Sequence, residues 1–267
     1  MEEDVMIKRQ SPTVTQANIL FLITVIITIA GSAFFQPRLG LGTNLWINEF
    51  VYILFPPLLL AKVNGWSVEK VYRFRKTSIR NKAFSFFSGL SLWFFSFYLS
   101  KMTRMFLHNK IGVSTTPGEL SLSIYQSLLL IIGIIVLAPI CEEIFFRGFM
   151  QRAYEGRTKR YGFVITGLLF GSFHILNGIS EVMPACILGL AMGYLVYKTD
   201  SLSTSMLFHG AVNTCAVLLG GFFEKSTQTA IPGWVHVVAL MGFCLSVVFM
   251  SGLKGEALEP NGLSCFR

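Results

Sequence analysis

Three small groups of polar residues stand inside long apolar runs, where they could do chemistry and where their presence is costly unless they do something. The first is Glu142, Glu143 and Arg147. On a helix, Glu143 and Arg147 are spaced i, i+4 and can pair, which offsets the cost of burying both. Glu142 projects about 100° away from Glu143 at 3.6 residues per turn and is left without a local partner. An unpaired carboxylate in a poorly solvated site is what a general base for water activation requires. If the helix ended at the headgroups instead, both glutamates would be solvated, but Gly148, Phe149 and Met150 continue the apolar run.

The second group is Phe170 and His174, and the third is His209 with Asn213, again spaced i, i+4 so that both polar groups share one helical face. A lone histidine in an apolar helix is more often a hydrogen-bonded packing residue than a catalyst. Two in separate runs shift that balance, because the other two histidines lie at the margins, His108 in a loop and His236 near the end of a run. A carboxylate, two imidazoles and a carboxamide are the parts needed to activate water and to stabilise an oxyanion.

These side chains need helices to hold them, and composition says which kind. The chain is 53% hydrophobic and only 13% charged over 267 residues, a balance that ordinary soluble domains do not show. Apolar runs of the length needed to cross about 30 Å of hydrocarbon recur at residues 19–35, 44–61, 83–100, 127–150, 161–177, 182–197, 202–222 and 232–253. The expectation is an all-α polytopic membrane protein, one integral membrane domain over 1–267 built as a bundle of about eight helices. The sixth run is short and carries Pro184, which makes it the least regular. No small-residue cleavage site follows the first run, so it is expected to be retained. Cys141, Cys186, Cys215 and Cys244 lie in apolar runs as small hydrophobes, which argues against a disulfide framework. Cys265 is third from the end, so the tail is not itself a prenylation box.

Lys and Arg in short loops mark the cytoplasmic side. With the N-terminus inside, sixteen of the 22 basic residues fall there, among them Lys8, Arg9, Lys159, Arg160, Lys254 and Arg267; five (Arg38, Lys101, Arg104, Lys110, Lys225) fall opposite, and Arg147 lies within a run. Both termini are therefore expected in the cytoplasm, and the net charge of +8 is mostly a signal of topology. The stretch from Lys70 to Lys82 could also form an interfacial helix against anionic lipid headgroups. Nucleic acid is not an expected partner. The assigned directions allow a check on depth: at 1.5 Å per residue, Glu142 lies roughly 15 Å from the cytoplasmic end of its helix, His174 roughly 20 Å, and His209 and Asn213 roughly 12 and 18 Å. All four can share one layer.

At these residues the sequence resembles the CPBP family, which groups type II CAAX prenyl endopeptidases with bacteriocin-processing and self-immunity (Abi) membrane proteins. The family's motifs look like Glu-Glu-x-x-x-Arg, here Glu142, Glu143 and Arg147; Phe-x-x-x-His, here Phe170 and His174; and His-x-x-x-Asn, here His209 and Asn213. The resemblance covers about 128–219, a core of catalytic type. It implies an eight-helix fold, a site toward the cytosolic leaflet, and hydrolysis of a peptide bond in a lipidated or membrane-associated peptide. Carried over, Glu142 would activate water with His174, His209 and Asn213 would stabilise the oxyanion, and Glu143, Arg147 and Phe170 would support the site. No cofactor is favoured. Glu142, His174 and His209 nevertheless form a ligand set that zinc can use, although His-Glu-x-x-His is absent. A non-catalytic immunity or regulatory protein with interhelical polar glue, and a proton-coupled transporter, are the other classes that use such residues.

Overall fold

The computed structural model describes residues 11–111, 122–158, 161–226 and 231–255. Glu2, Glu3, Asp4, Lys8, Arg9, Lys159, Arg160, Cys265 and Arg267 lie outside them. The described chain contains no strand. Its long helices are α1 (Val14–Leu39), α2 (Leu41–Asn64), α3 (Ile79–Asn109), α4 (Ile124–Thr158), α5 (Gly162–Asn177), α6 (Ile179–Thr199), α7 (Leu202–Lys225) and α8 (Gly233–Ser251). Seven are long and apolar enough to cross a membrane; α5 is the exception. All eight expected helices are therefore present, but the irregular one is the fifth, whereas the sixth, with Pro184 inside it, runs 21 residues unbroken. α5 ends early because its last turn tightens to 3₁₀ geometry at His174–Asn177 and Gly178, at φ +122°, breaks the chain direction before α6.

Apolar side chains such as Leu22 and Ile26 on α1 and Leu240 and Val248 on α8 remain exposed on the bundle's outside, the surface that lipid would cover. Inside, polar contacts tie the helices: Ser88 of α3 meets Ser246 of α8 at 2.7 Å, and Thr24 of α1 donates to the Tyr52 carbonyl of α2. α5 and α6 approach at Gly167 and Gly189, where a Cβ on Gly189 would stand 2.6 Å from the Gly167 carbonyl oxygen.

Three stretches widen to i→i+5 hydrogen bonding, at Asn48–Leu54 in α2 and at Gly133–Leu137 and Ile144–Met150 in α4. Such widened turns often accompany functional sites. Proline contributes to the first two. Pro56 and Pro57 follow the widened turn of α2, and Pro139 follows that of α4, so the ladder there lacks backbone donors.

The basic stretch from Lys70 to Lys82 is not one interfacial helix. The helical turn Val68–Val71 ends at its start, Arg73 follows in left-handed backbone geometry (φ 54°), and α3 begins only at Ile79. Arg73 is buried between Glu155 of α4 and Asp200, with 3.1 Å from Arg73 Nε to Asp200 Oδ1. Its carbonyl accepts from Leu202 N–H, which fixes the start of α7 two turns before His209. Beside it Tyr72 is fully buried with its hydroxyl donating to the Pro57 carbonyl, and burial pushes that phenol's pKa above its ordinary value.

Candidate active site

The widened segment after Glu143 places Arg147 in the interior. Arg147 and Glu143 are fully buried, and Arg147 Nη1 donates to Glu143 Oε1 at 2.8 Å, the pairing that their i, i+4 spacing predicts. Arg147 Nη2 donates to the Gly189 carbonyl at 3.1 Å, and the guanidinium sits 4.4 Å from the Phe170 ring centroid. Phe170 is in turn 4.5 Å from the His174 ring and edge-on to His209 at 5.8 Å. Glu143, Arg147 and Phe170 thus form a packed base beneath the two imidazoles.

Neither histidine is free to choose its tautomer. At the tightened end of α5 the His174 backbone N–H turns to the Gly171 and Ser172 carbonyls, and His174 Nδ1 takes the Phe170 carbonyl at 2.9 Å instead. A carbonyl only accepts, so Nδ1 carries the proton and Nε2 of neutral His174 is an acceptor. His209 Nδ1 lies 3.1 Å from Glu143 Oε1, which assigns its proton in the same way.

His209 Nε2 then stands 4.0 Å from Glu142 Oε2. Glu142 is itself buried, at 8% exposure, and its Oε2 has no hydrogen-bond partner. A helix end with solvated carboxylates is not what this stretch forms. Asn213 and His209 share a helical face but do not pair with one another. Asn213 Nδ2 donates to the Ile134 carbonyl of α4 at 2.8 Å. That carbonyl is an orphan of the widened turn, because Ala138 N–H bonds Gly133 and Pro139 has no N–H to give.

Glu142, His174, His209 and Asn213 all line one cavity of about 630 Å³, together with Phe170 at its base. Glu143 and Arg147 lie behind it rather than on its wall. Glu49 of α2, which the sequence reading passed over, lines the cavity as well. It is 3% exposed, and its Oε2 has no hydrogen-bond partner. The signal was available, since Glu49 is the only acidic or basic residue in the run 44–61.

A zinc ion needs three protein ligands converging on one point. Among the described residues no three His, Cys, Asp or Glu side chains do so. As placed, Glu142, His174 and His209 are not gathered into such a set.

The chain matches none of the curated proteins. Residues 124–215, from the start of α4 into α7, match the family model described as type II CAAX prenyl endopeptidase Rce1-like, a membrane protease family, so the resemblance to the CPBP family rests on a family match as well as on the seven motif residues.

Proposed function

We propose that this protein is an intramembrane endopeptidase that hydrolyses a peptide bond of a lipidated or membrane-associated peptide, with water activated by Glu142. The observation that carries this reading is a buried carboxyl without a hydrogen-bond partner, facing two imidazoles of assigned tautomer in one cavity. The attacking water donates one hydrogen bond to Glu142 and the other to the lone pair of His174 Nε2. As its oxygen bonds to the scissile carbonyl carbon, Glu142 takes the first proton. The oxyanion is met by the second N–H of the Asn213 amide and by His209 Nε2–H. Because Glu143 fixes the His209 proton on Nδ1, donation from Nε2 requires the imidazolium, and Glu143 is the carboxylate that stabilises it. The excess of Lys and Arg at one end of the bundle supports the assignment of that end, with both termini, to the cytoplasm.

The test is cleavage of an internally quenched peptide carrying S-farnesylcysteine followed by three residues, with the purified full chain in liposomes and an unprenylated peptide alongside. Glu142→Gln and His174→Ala are expected to abolish hydrolysis of any peptide the parent cleaves, while eluting as folded protein. Full proteolysis by either variant overturns this mechanism.

A further inference from the structure

Peptide hydrolysis moves two protons, one off the attacking water and one onto the departing amine. The reading above uses Glu142 for the first and leaves the second open. Two carboxyls, not one, are buried in this cavity without a hydrogen-bond partner for Oε2: Glu142 on α4 and Glu49 on α2. The widened turn that opens at Asn48 packs against the 138–143 segment of α4. A second cavity of about 650 Å³, toward α1, is also lined by Glu49, Glu142 and His174, which with Leu45, Ile134 and Asn177 border both spaces.

The charged and titratable groups around Glu49 are few. α4 offers Cys141, Glu142 and the already paired Glu143 and Arg147, α5 offers His174, α7 offers His209, and α1 offers only hydroxyls such as those of Thr28 and Ser32. Arg147 is committed to Glu143, and Arg104, which lines the far end of the same cavity, to Glu181 and Glu224. Two carboxyls that share a poorly solvated space with at most the one imidazolium of His209 to serve them cannot both ionise cheaply, so the pair holds one proton between them. Glu142 has His209 Nε2 within 4.0 Å to favour its ionised form, whereas Glu49 has no such neighbour and is the more deeply buried of the two.

We infer that Glu49 is a second catalytic residue of this site, the general acid that protonates the leaving amine. This rests on the assignment of Glu142 as the base. In the resting site Glu142 is the carboxylate and Glu49 the carboxylic acid. Attack places the water proton on Glu142 as the C–O bond forms. As the C–N bond breaks, the amine nitrogen takes the proton of Glu49. The proton on Glu142 then passes to Glu49 through the space they share, which restores the pair with no net gain or loss.

The experiment compares two leaving groups on the same S-farnesylcysteine acyl group: the peptide amide, which needs a proton to depart, and an aryl ester, which does not. Glu49→Gln is expected to lower kcat on the peptide about 100-fold, with KM within about threefold, and to hydrolyse the aryl ester close to the parental rate. Glu49→Asp should fall between the parent and Glu49→Gln on the peptide, and its ratio of peptide to ester rates decides the matter if the Gln variant does not fold. Undiminished peptide cleavage, or equal loss on both substrates, overturns the assignment of Glu49. Loss of both substrates is the expectation for Glu142→Gln; if that variant cleaves both, the underlying reading fails instead.

Discussion

Where the far ends of α3, α6 and α7 meet, charge is matched by charge. Lys101 and Arg104 reach Glu224 at 2.6 and 2.8 Å, and Arg104 stands 3.4 Å from Glu181. Deeper in the bundle the pattern changes: Glu143 receives both Arg147 and His209 on Oε1, while Glu142 next to it and Glu49 opposite receive no such bond from a guanidinium or an imidazole, although Oε2 is unbonded in all three. The paired groups hold helices together. The unpaired ones keep their lone pairs or protons for something that is not part of the chain. Burial alone does not separate the two kinds, since Glu143 is the most buried of these carboxyls. Partnership does.

The contrast is broken most severely at Arg147. Replacing it by Met leaves Glu143 buried with only His209 as a partner, and removing one member of a buried pair costs about 3–5 kcal/mol. Arg147→Met is expected to show a large drop in thermal unfolding temperature in detergent and to lose cleavage. Adding Glu143→Leu should recover most of the stability but not the activity, because His209 Nδ1 would then have no carboxylate to fix its proton. Recovery of activity in the double variant would show that the pair matters only for stability.

A smaller and sharper effect is expected at Asn213, where structure and proposed chemistry meet in one amide. Asn213→Ala removes an oxyanion donor, a loss of about 100- to 1,000-fold in kcat, and leaves the Ile134 carbonyl unbonded, which costs about 1–3 kcal/mol. The two losses are separable. Pro139→Ala supplies a backbone N–H beside the orphan carbonyl, so Pro139→Ala with Asn213→Ala should regain stability while kcat stays low. Thermal unfolding and peptide hydrolysis read the two parts independently.

These cases show what the sequence could reveal. The helices were legible because a bilayer leaves backbone groups no partner but their own, so apolar runs of the right length had to be helical. Their ends were not, because α3 and α4 continue as helix beyond the hydrocarbon, to Asn109 and Thr158, where polar residues carry no hydropathy signal. The Glu143–Arg147 pair follows from local spacing. The partner of Asn213 lies 79 residues away and depends on a turn widened near Pro139, which no residue periodicity encodes. Glu49 was hidden for another reason: the run that carries it is otherwise apolar or neutral, and no second acidic or basic residue stands near it in sequence.

The least effect is expected at the far end, at Lys101. It is buried to 7% exposure, yet its partner Glu224 retains Arg104 when Lys101 is removed, so no carboxylate is orphaned. Lys101→Met should therefore cost about 1 kcal/mol or less and leave peptide hydrolysis within about twofold of the parent. The prediction is informative because Arg104, Glu181 and Glu224 line the same cavity as Glu142. If Lys101→Met removed cleavage while the unfolding temperature stayed put, these ion pairs would belong to the substrate's path. The division between paired groups that hold helices and unpaired groups that do chemistry would then fail at this end of the bundle.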